Sequence, residues 1–596
     1  MRVGADTGGT FTDVVAADGR LVKVPSTPDD PGAAVRTGVA ALGPAPDTLA
    51  HGTTVATNAL LEGRGAPVAL VTTAGFADVI EIARQDRPSL YDPFVDRPPP
   101  LVPRALRLEV GGRLGPDGAE IEALGPVPEV PDGVEAVAVV LVHADLDPTH
   151  ERAVRDELVG RGLDVTCSHE VSPEMREYER LVTTVVSASL RPLCRRYLRG
   201  LADSAAEVLV MTSAGGLVPV EEGAELPASL LLSGPAAGVG AAAAVAAAVG
   251  WPDAVTFDMG GTSTDVCLVL GGRPEPAGER EVGGYPIRLP SLDVHTIGAG
   301  GGSIARIDAG GALVVGPESA GAVPGPACYG LGGEQPTVTD ANLVAGRLPA
   351  DAELPGIGRL DRAAAERALD RAGVSAEGVL AVVDANMERA LRRVSVERGV
   401  DPRGLALVAF GGAGPLHACS LADALGMPAV VVPARAGVLS AVGLLGSARQ
   451  HDVVRSWPDP GDLTGLDAAL AALADEAARA VGGRRPGVTV STAVDARYAG
   501  QSHEVTVAAV DGFEAEHERR NGYRRPGHPV EVVALRARAR VAPPLGPTDL
   551  PVLAREGGVG PVVLAEPDCT IWVPPGWVAE PGPAGALLCR RVEARS

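Results

Sequence analysis

Two stretches decide how this chain is read: Val3–Val15, VGADTGGTFTDVV, and Thr256–Leu268, TFDMGGTSTDVCL. In each, an apolar run leads into Asp-x-Gly-Gly-Thr, two residues intervene, and a second Asp precedes further apolar residues. β-Branched runs on both sides of a Gly-Gly pair predict strand, tight turn, strand. Glycines let the backbone approach a ligand closely, and successive N–H groups with Thr hydroxyls form a cradle for phosphate oxygens. Thr7, Gly8, Gly9 and Thr10 make the first cradle; Gly260, Gly261, Thr262 and Ser263 make the second. Asp6 and Asp258 cannot themselves favour a polyanion, so a cation is expected between carboxylate and phosphate, most simply Mg2+. Asp13 and Asp265 are second-choice carboxylates. A hairpin turn with a solvated Asp explains one copy. Two copies 252 positions apart (258 minus 6) favour two halves of one nucleotide site.

The paired phrase resembles the phosphate loops of the superfamily containing actin, the heat-shock ATPases and the sugar kinases. Further phrases narrow the resemblance: HGTTVATNALLE (His51–Glu62), SHEVSPEMREYER (Ser168–Arg180), LLSGPAAGV (Leu231–Val239), IGAGGGSIARID (Ile297–Asp308), PGPACYG with PTVTDANLVAGRL, and AFGGAGPLHA (Ala409–Ala418). Together and in order they resemble the ATP-using A-type subunit of the hydantoinase/oxoprolinase family. The resemblance implies an α/β, two-lobed actin-like fold with a small C-terminal β-rich domain. The segments expected are an N-terminal lobe, 1–170; connecting helices and a Gly/Ala-rich stretch, 171–250; a second lobe, 251–450; and a helix plus β-rich domain, 451–596.

Composition bounds the rest. A chain of 596 residues exceeds one core, and 46% hydrophobic residues supply several. Acidic residues outnumber basic ones 75 to 52, for a formal charge of -23. That balance argues against a nucleic-acid or anionic-membrane surface and leaves small molecules and proteins as partners. Lys23 is the only lysine, so a GxxxxGK[ST] loop is excluded and phosphate charge must be met by backbone, arginine and metal. Seven dispersed cysteines without a CxxC pair read as reduced and intracellular. With Val3 already inside the first motif, a signal peptide is not expected, and the Ala-rich stretch 236–250 is too short to span a bilayer. A soluble cytoplasmic protein follows as the expectation.

Further candidates are weaker. Thr54, Thr57 and Asn58 open a helical pattern, where capping by Thr and binding of an anion or carbonyl are equally compatible; the resemblance places His51, Thr54 and Asn58 at the substrate cleft. Ser172, Pro173 and Glu174 predict the start of a long helix, with Arg176, Glu177, Glu179 and Arg180 on its solvated face. Ser233-Gly234 opens an Ala-rich helix whose spacing is not GxGxxG, so a dinucleotide fold is rejected and a nucleotide contact stays open. Asp293 and His295 share one face of a strand and are candidates either for a divalent metal or for a mutual hydrogen bond. Gly300, Gly301 and Gly302 are expected against ligand. By the resemblance, Gly411, Gly412 and Gly414 line the adenosine side, while His417 is expected to cap or pack.

An amide carbonyl is a poor electrophile because nitrogen donates into it; phosphorylating its oxygen creates a leaving group. The resemblance therefore implies ATP-dependent, Mg2+-dependent phosphorylation of a cyclic amide (hydantoin, 5-oxoproline or lactam), with ring opening in company with a separate B-type subunit in a hetero-oligomer or dimer. Ketone carboxylation, a stand-alone small-molecule kinase and a nucleotide-driven scaffold are the alternatives.

Overall fold

The two phrases fold alike. In the computed structural model β1 (Arg2–Thr7), β2 (Phe11–Ala16) and β3 (Leu21–Pro25) form an antiparallel meander, and β4 (Thr48–Thr53) and β5 (Glu207–Met211) add to β1 in parallel. In the second half β6 (Ala254–Met259) and β7 (Thr264–Leu270) repeat the hairpin, β8 (Val294–Ile297) pairs with β7, and β9 (Ala406–Phe410) and β10 (Ala429–Val432) continue from β6 in parallel. Registers match: Asp6 pairs with Asp13, and Asp258 with Asp265. This duplicated strand order is the expected two-lobed actin-like architecture. The described residues are all of 1–596 except 10, 28–29, 98, 350, 355–356, 547–548, 552–553 and 593–596, so Thr10 of the first cradle lies outside them.

Helices cover the sheets and join the lobes. α1 (Val55–Leu61) follows β4; α2 (Glu177–Arg199) is buried along most of its length; α3 (Gly234–Ala248) and α5 (Leu439–Leu445) cross between the lobes; α4 (Gly414–Leu425) follows β9. A Cβ on Gly443 would lie 2.1 Å from the Ala237 carbonyl oxygen, so the α3–α5 crossing requires glycine there. Each lobe has its own apolar core, with a smaller cluster of Ala50, Met211, Ala236, Ala237 and Leu444 between them.

The C-terminal β structure is built onto both lobes. Strands Arg449–Ser456, Val530–Val541, Val488–Tyr498 and Val505–Val507 extend the first sheet to ten strands, through the single pair Leu217–Arg449. Strands Leu587–Arg591, Trp577–Pro581 and Gly558–Val559 extend the second sheet beyond β10. A four-stranded parallel sheet, led by Val68–Thr73 and Ala136–Val140, fills the first lobe's insertion. The described residues of the Pro-rich stretch 88–103, between those two strands, are loop, with Leu90, Tyr91 and Phe94 exposed.

The long helix differs from expectation. α2 begins at Glu177, and Arg176 at its N-cap has φ 88°. Ser172 instead donates to the Arg288 carbonyl (2.9 Å), while Glu174 is buried against Arg288 (2.8 Å) and Arg536 (3.1 Å). Nor is the charged face solvated: Arg180 is buried on Asp145 and the Leu141 carbonyl, and Glu179 is buried with Arg84. Glu504 of the QSHE phrase bonds both Arg176 and Arg288 at 2.7 Å, and Asp495 bonds Arg536 at 2.6 Å. Burial favours such charges only when paired, and these pairs tie the C-terminal strands to α2. No helix among the described residues is long and apolar enough to cross a membrane.

Candidate functional site

Directly opposed residues of an antiparallel pair share a face, so Asp6 with Asp13, and Asp258 with Asp265, each form a pair on one face of its lobe. The two pairs feel one another across the cleft. Burial first, then repulsion by Asp13 and by Asp265 of the other lobe, raises Asp6 to about 7 against the pull of Lys23. Burial and then Asp265, Asp6 and Asp13 push Asp258 well above the carboxylate range, although the Ser440 hydroxyl favours its charged form. Burial raises Asp265 to about 6, opposed by a 2.5 Å hydrogen bond from Thr296. Asp13 is raised by burial despite Lys23, whose Nζ lies 2.7 Å away.

Both turns close alike: the Gly8 N–H donates to Phe11 O and the Gly260 N–H to Ser263 O, each at 3.0 Å. The N–H groups of Gly261 and Thr262 make no hydrogen bond among the described residues. Gly411 presses on the second turn with φ 78°; a Cβ there would lie 2.4 Å from Asp258 Oδ1 and from the Met259 carbonyl oxygen. Gly412 is exposed, and Gly414 is buried at the start of α4 beside Phe257. A set of carboxylates raised by burial and mutual repulsion, flanked by backbone donors, suits a hard divalent cation between carboxylate and phosphate oxygens. Asp6 and Asp258, with Asp13 and Asp265 beside them, are the residues that fit Mg2+; the two turns fit phosphates.

Several candidates have other roles. His51 is fully buried beneath the first turn, its Nδ1 2.9 Å from the Ala5 carbonyl and its Nε2 2.7 Å from the Tyr197 hydroxyl, and burial lowers it to about 4. It is a neutral support of β1 and has no surface to offer a substrate. Thr54 does not cap α1 with its side chain; it donates to the Thr7 carbonyl at 3.2 Å, and Asn58 Nδ2 lies 3.5 Å from the Thr54 hydroxyl. Both are half-buried at the first turn. A Cβ on Gly234 would lie 3.7 Å from Thr54 and 3.9 Å from Asp6, which brings the start of α3 to the same place. Thr57 accepts from the Leu232 N–H at 2.9 Å.

Gly300, Gly301 and Gly302 lie against protein backbone: Gly301 donates to Gly260 O (3.0 Å), Gly302 donates to Gly261 O (2.6 Å), and a Cβ on Gly300 would lie 2.7 Å from Thr262 N. Their close approach is to the second turn, which they buttress. Asp293 is ion-paired with Arg398, and no hydrogen bond joins it to His295 among the described residues. His295 is half-buried and its pKa is lowered by burial and Arg393. The pair forms no metal cluster. The three-donor groups among the described residues are Glu151–Cys167–His169 and Glu566–Asp568–Cys569. Glu151 already accepts from Leu141, Ser168 and His169. His417 packs, as expected, fully buried between Asp384 (2.6 Å) and Asn342 (3.2 Å). Ser440, which reaches Asp258 from α5, gave no motif signal because it lies outside the Gly-rich phrases.

Fold and cleft define a protein of the actin, heat-shock ATPase and sugar-kinase class. Within that class the chain belongs to the hydantoinase/oxoprolinase family: the Hydantoinase/oxoprolinase description matches residues 180–453 and the Hydantoinase/oxoprolinase N-terminal region matches residues 2–160. The chain is 36% identical to caprolactamase subunit alpha of Pseudomonas jessenii, over 97% of both chains. The crystal structure of the ATP-dependent caprolactamase from that organism superposes with a TM-score of 0.86 at 33% identity, covering 99% of this chain and 100% of that one. The chain is also 35% identical to 5-oxoprolinase 1 of Arabidopsis thaliana, over 74% of its own length and 41% of the relative's. It is 33% identical to the acetophenone carboxylase gamma subunit of Aromatoleum aromaticum, over 74% and 66%.

Proposed function

We propose that this chain is the ATP-using subunit of a cyclic amide hydrolase, acting on a lactam, 5-oxoproline or hydantoin ring together with a B-type partner subunit. The single observation that carries the reading is the quartet Asp6, Asp13, Asp258 and Asp265, paired in register in each lobe and acting on one another across the cleft. The family membership and the near full-length likeness to an ATP-dependent caprolactamase support ATP and the ring amide. Bound ATP with Mg2+ would supply a phosphoryl group that turns the amide carbonyl oxygen into a leaving group.

The chain's own residues position and neutralise. The turns Thr7–Gly9 and Gly260–Ser263 would hold phosphates through N–H and hydroxyl donors. Asp6, beside the start of α3, and Asp258, hydrogen-bonded by Ser440, would hold the cation. Gly411 sets the distance of Asp258 from the turn, and with Gly412 and Gly414 it borders the adenosine side. Thr54 and Asn58 line the substrate side of the first turn. Seven buried cysteines, none in a disulfide, support a reducing cytoplasmic setting.

The test is ATP consumption by the purified chain with hydantoin, 5-oxoproline, caprolactam and simple ketones, with and without a B-type partner. Ring-amide-stimulated turnover that requires the partner is expected. Turnover stimulated by ketone and bicarbonate instead would favour the carboxylase reading, which the likeness to acetophenone carboxylase supports. Substrate-stimulated turnover by the lone chain would indicate a self-sufficient kinase, and stimulation by unfolded peptide alone a scaffold.

A further inference from the structure

The two half-sites are alike in sequence and register but not in charge. Across β2 and β3, Asp13 is paired with Lys23; across β7 and β8, the equivalent Asp265 is paired with Thr296. Opposed residues share a face, so Asp6, Asp13 and Lys23 stand in one row on the cleft face of the first lobe. Lys23 Nζ is 2.7 Å from Asp13 Oδ1 and 5.3 Å from the centroid of the Phe11 ring, at the end of the first turn. Its attraction reaches Asp6 as well. Three residues on, the KVPST segment returns to the turn: Ser26 donates to Gly8 O at 2.8 Å and lies 3.2 Å from Thr12. Lys23 is also the one lysine among 596 residues.

We infer that Lys23 is a positioning residue for the terminal phosphate of the bound nucleotide. An ammonium has three donors. Asp13 is the ion-pair partner of Lys23 at 2.7 Å, and among the described residues Lys23 meets no second acceptor. Asp13 and Phe11 hold the ammonium beside the first turn, within the cleft-face row of Asp6 and Asp13. The first lobe thereby has a fixed positive charge where the second has a hydroxyl. Consequently the phosphate with the most charge belongs on the first turn, where Lys23 adds to the backbone donors. This inference rests on the proposed nucleotide site; it adds which lobe takes the terminal phosphate.

The chain's single lysine makes the test selective. An amine-directed acylating reagent can mark Lys23, whose side chain is 21% exposed, and the Met1 amine, which is paired with Asp47; peptide mapping separates the two. MgATP is expected to protect Lys23 and leave Met1 unchanged, with weaker protection by MgADP and none by AMP. In calorimetry Lys23→Met should weaken MgATP by roughly ten- to a hundredfold, as for loss of a hydrogen bond to a charged group. MgADP should change by less than about threefold, and Lys23→Arg should recover most of the loss. A general structural role would weaken both nucleotides alike and lower the Tm. If MgATP binds by calorimetry yet Lys23 labels at the free-protein rate, or Lys23→Met binds MgATP normally, the inference is wrong and the nucleotide site stands. If MgATP does not bind at all, both fall.

Discussion

Two clusters of acids lie in this molecule, one half-buried and one largely buried, and their surroundings are opposite. In the cleft burial pushes Asp6, Asp13, Asp258 and Asp265 up, repulsion by the neighbouring carboxylates adds to it at Asp6 and Asp258, and Lys23 opposes it at Asp6 and Asp13. At the junction of α2 with the C-terminal strands, Glu174, Asp495 and Glu504 meet Arg176, Arg288 and Arg536. There burial would raise Glu504, but the Arg176 hydrogen bond and the Arg288 charge outweigh it and hold the group at about 2. The junction is electrostatically complete and structural. Among the described residues the cleft sets one cation, Lys23, against four carboxylates, the imbalance that the proposed Mg2+ would offset.

The largest effect that would break the comparison is loss of a cleft carboxylate. Asp258→Asn should reduce Mg2+-dependent ATP turnover by at least about a hundredfold, more than removing an outer partner of a metal ligand does, while Tm is maintained or rises because one repelling charge is gone. Unchanged turnover would mean that Asp258 is not at the chemistry. At the junction the signature reverses. Glu174→Ala should destabilise by about 1–3 kcal/mol, because Arg288 and Arg536 each lose one carboxylate partner while Glu504 and Asp495 remain, measured as a lower urea midpoint, with MgATP affinity of the folded protein unaltered.

pH separates the clusters next. Asp6 titrates near 7 when folded, above its ordinary 3.8, so its penalty is absent below about 4 and grows as pH rises toward 7. Nucleotide-free protein should therefore lose cleft stability from pH 4 to 7, and Mg2+ should raise Tm more at pH 8 than at pH 5. Glu504 has the opposite sign: its contribution is present above its ordinary 4.5 and is lost as pH falls toward about 2. The Tm of Glu504→Gln, compared with wild type from pH 6 to 3, should converge on it as the pH falls. The smallest change is Thr296→Ala, which removes the 2.5 Å hydrogen bond to Asp265; turnover should fall only several-fold, with its pH dependence shifted upward.

The lobes, the paired turns and the cleft acids were legible because each is carried by contiguous residues: strand periodicity, Gly-Gly and an Asp at fixed spacing. The junction was not. Charges at a helix start look solvated when their partners are distant in sequence, and Glu174 meets Arg288 and Arg536 only after folding. His51 was misplaced because a motif reports proximity to the turn but not depth; one residue decides whether a strand side chain faces ligand or core. The triple glycine signalled close approach correctly, yet composition does not distinguish a ligand from the neighbouring turn at Gly260–Thr262. Asp293 likewise depended on Arg398, which no local pattern announces.

The central claim is that the two turns form one site. Its most direct test is titration calorimetry of MgATP with wild type, Asp6→Asn and Asp258→Asn. The account predicts one nucleotide per chain, with Mg2+-dependent affinity lost in either variant. Two independent sites per chain, or full affinity with either carboxylate removed, would contradict it.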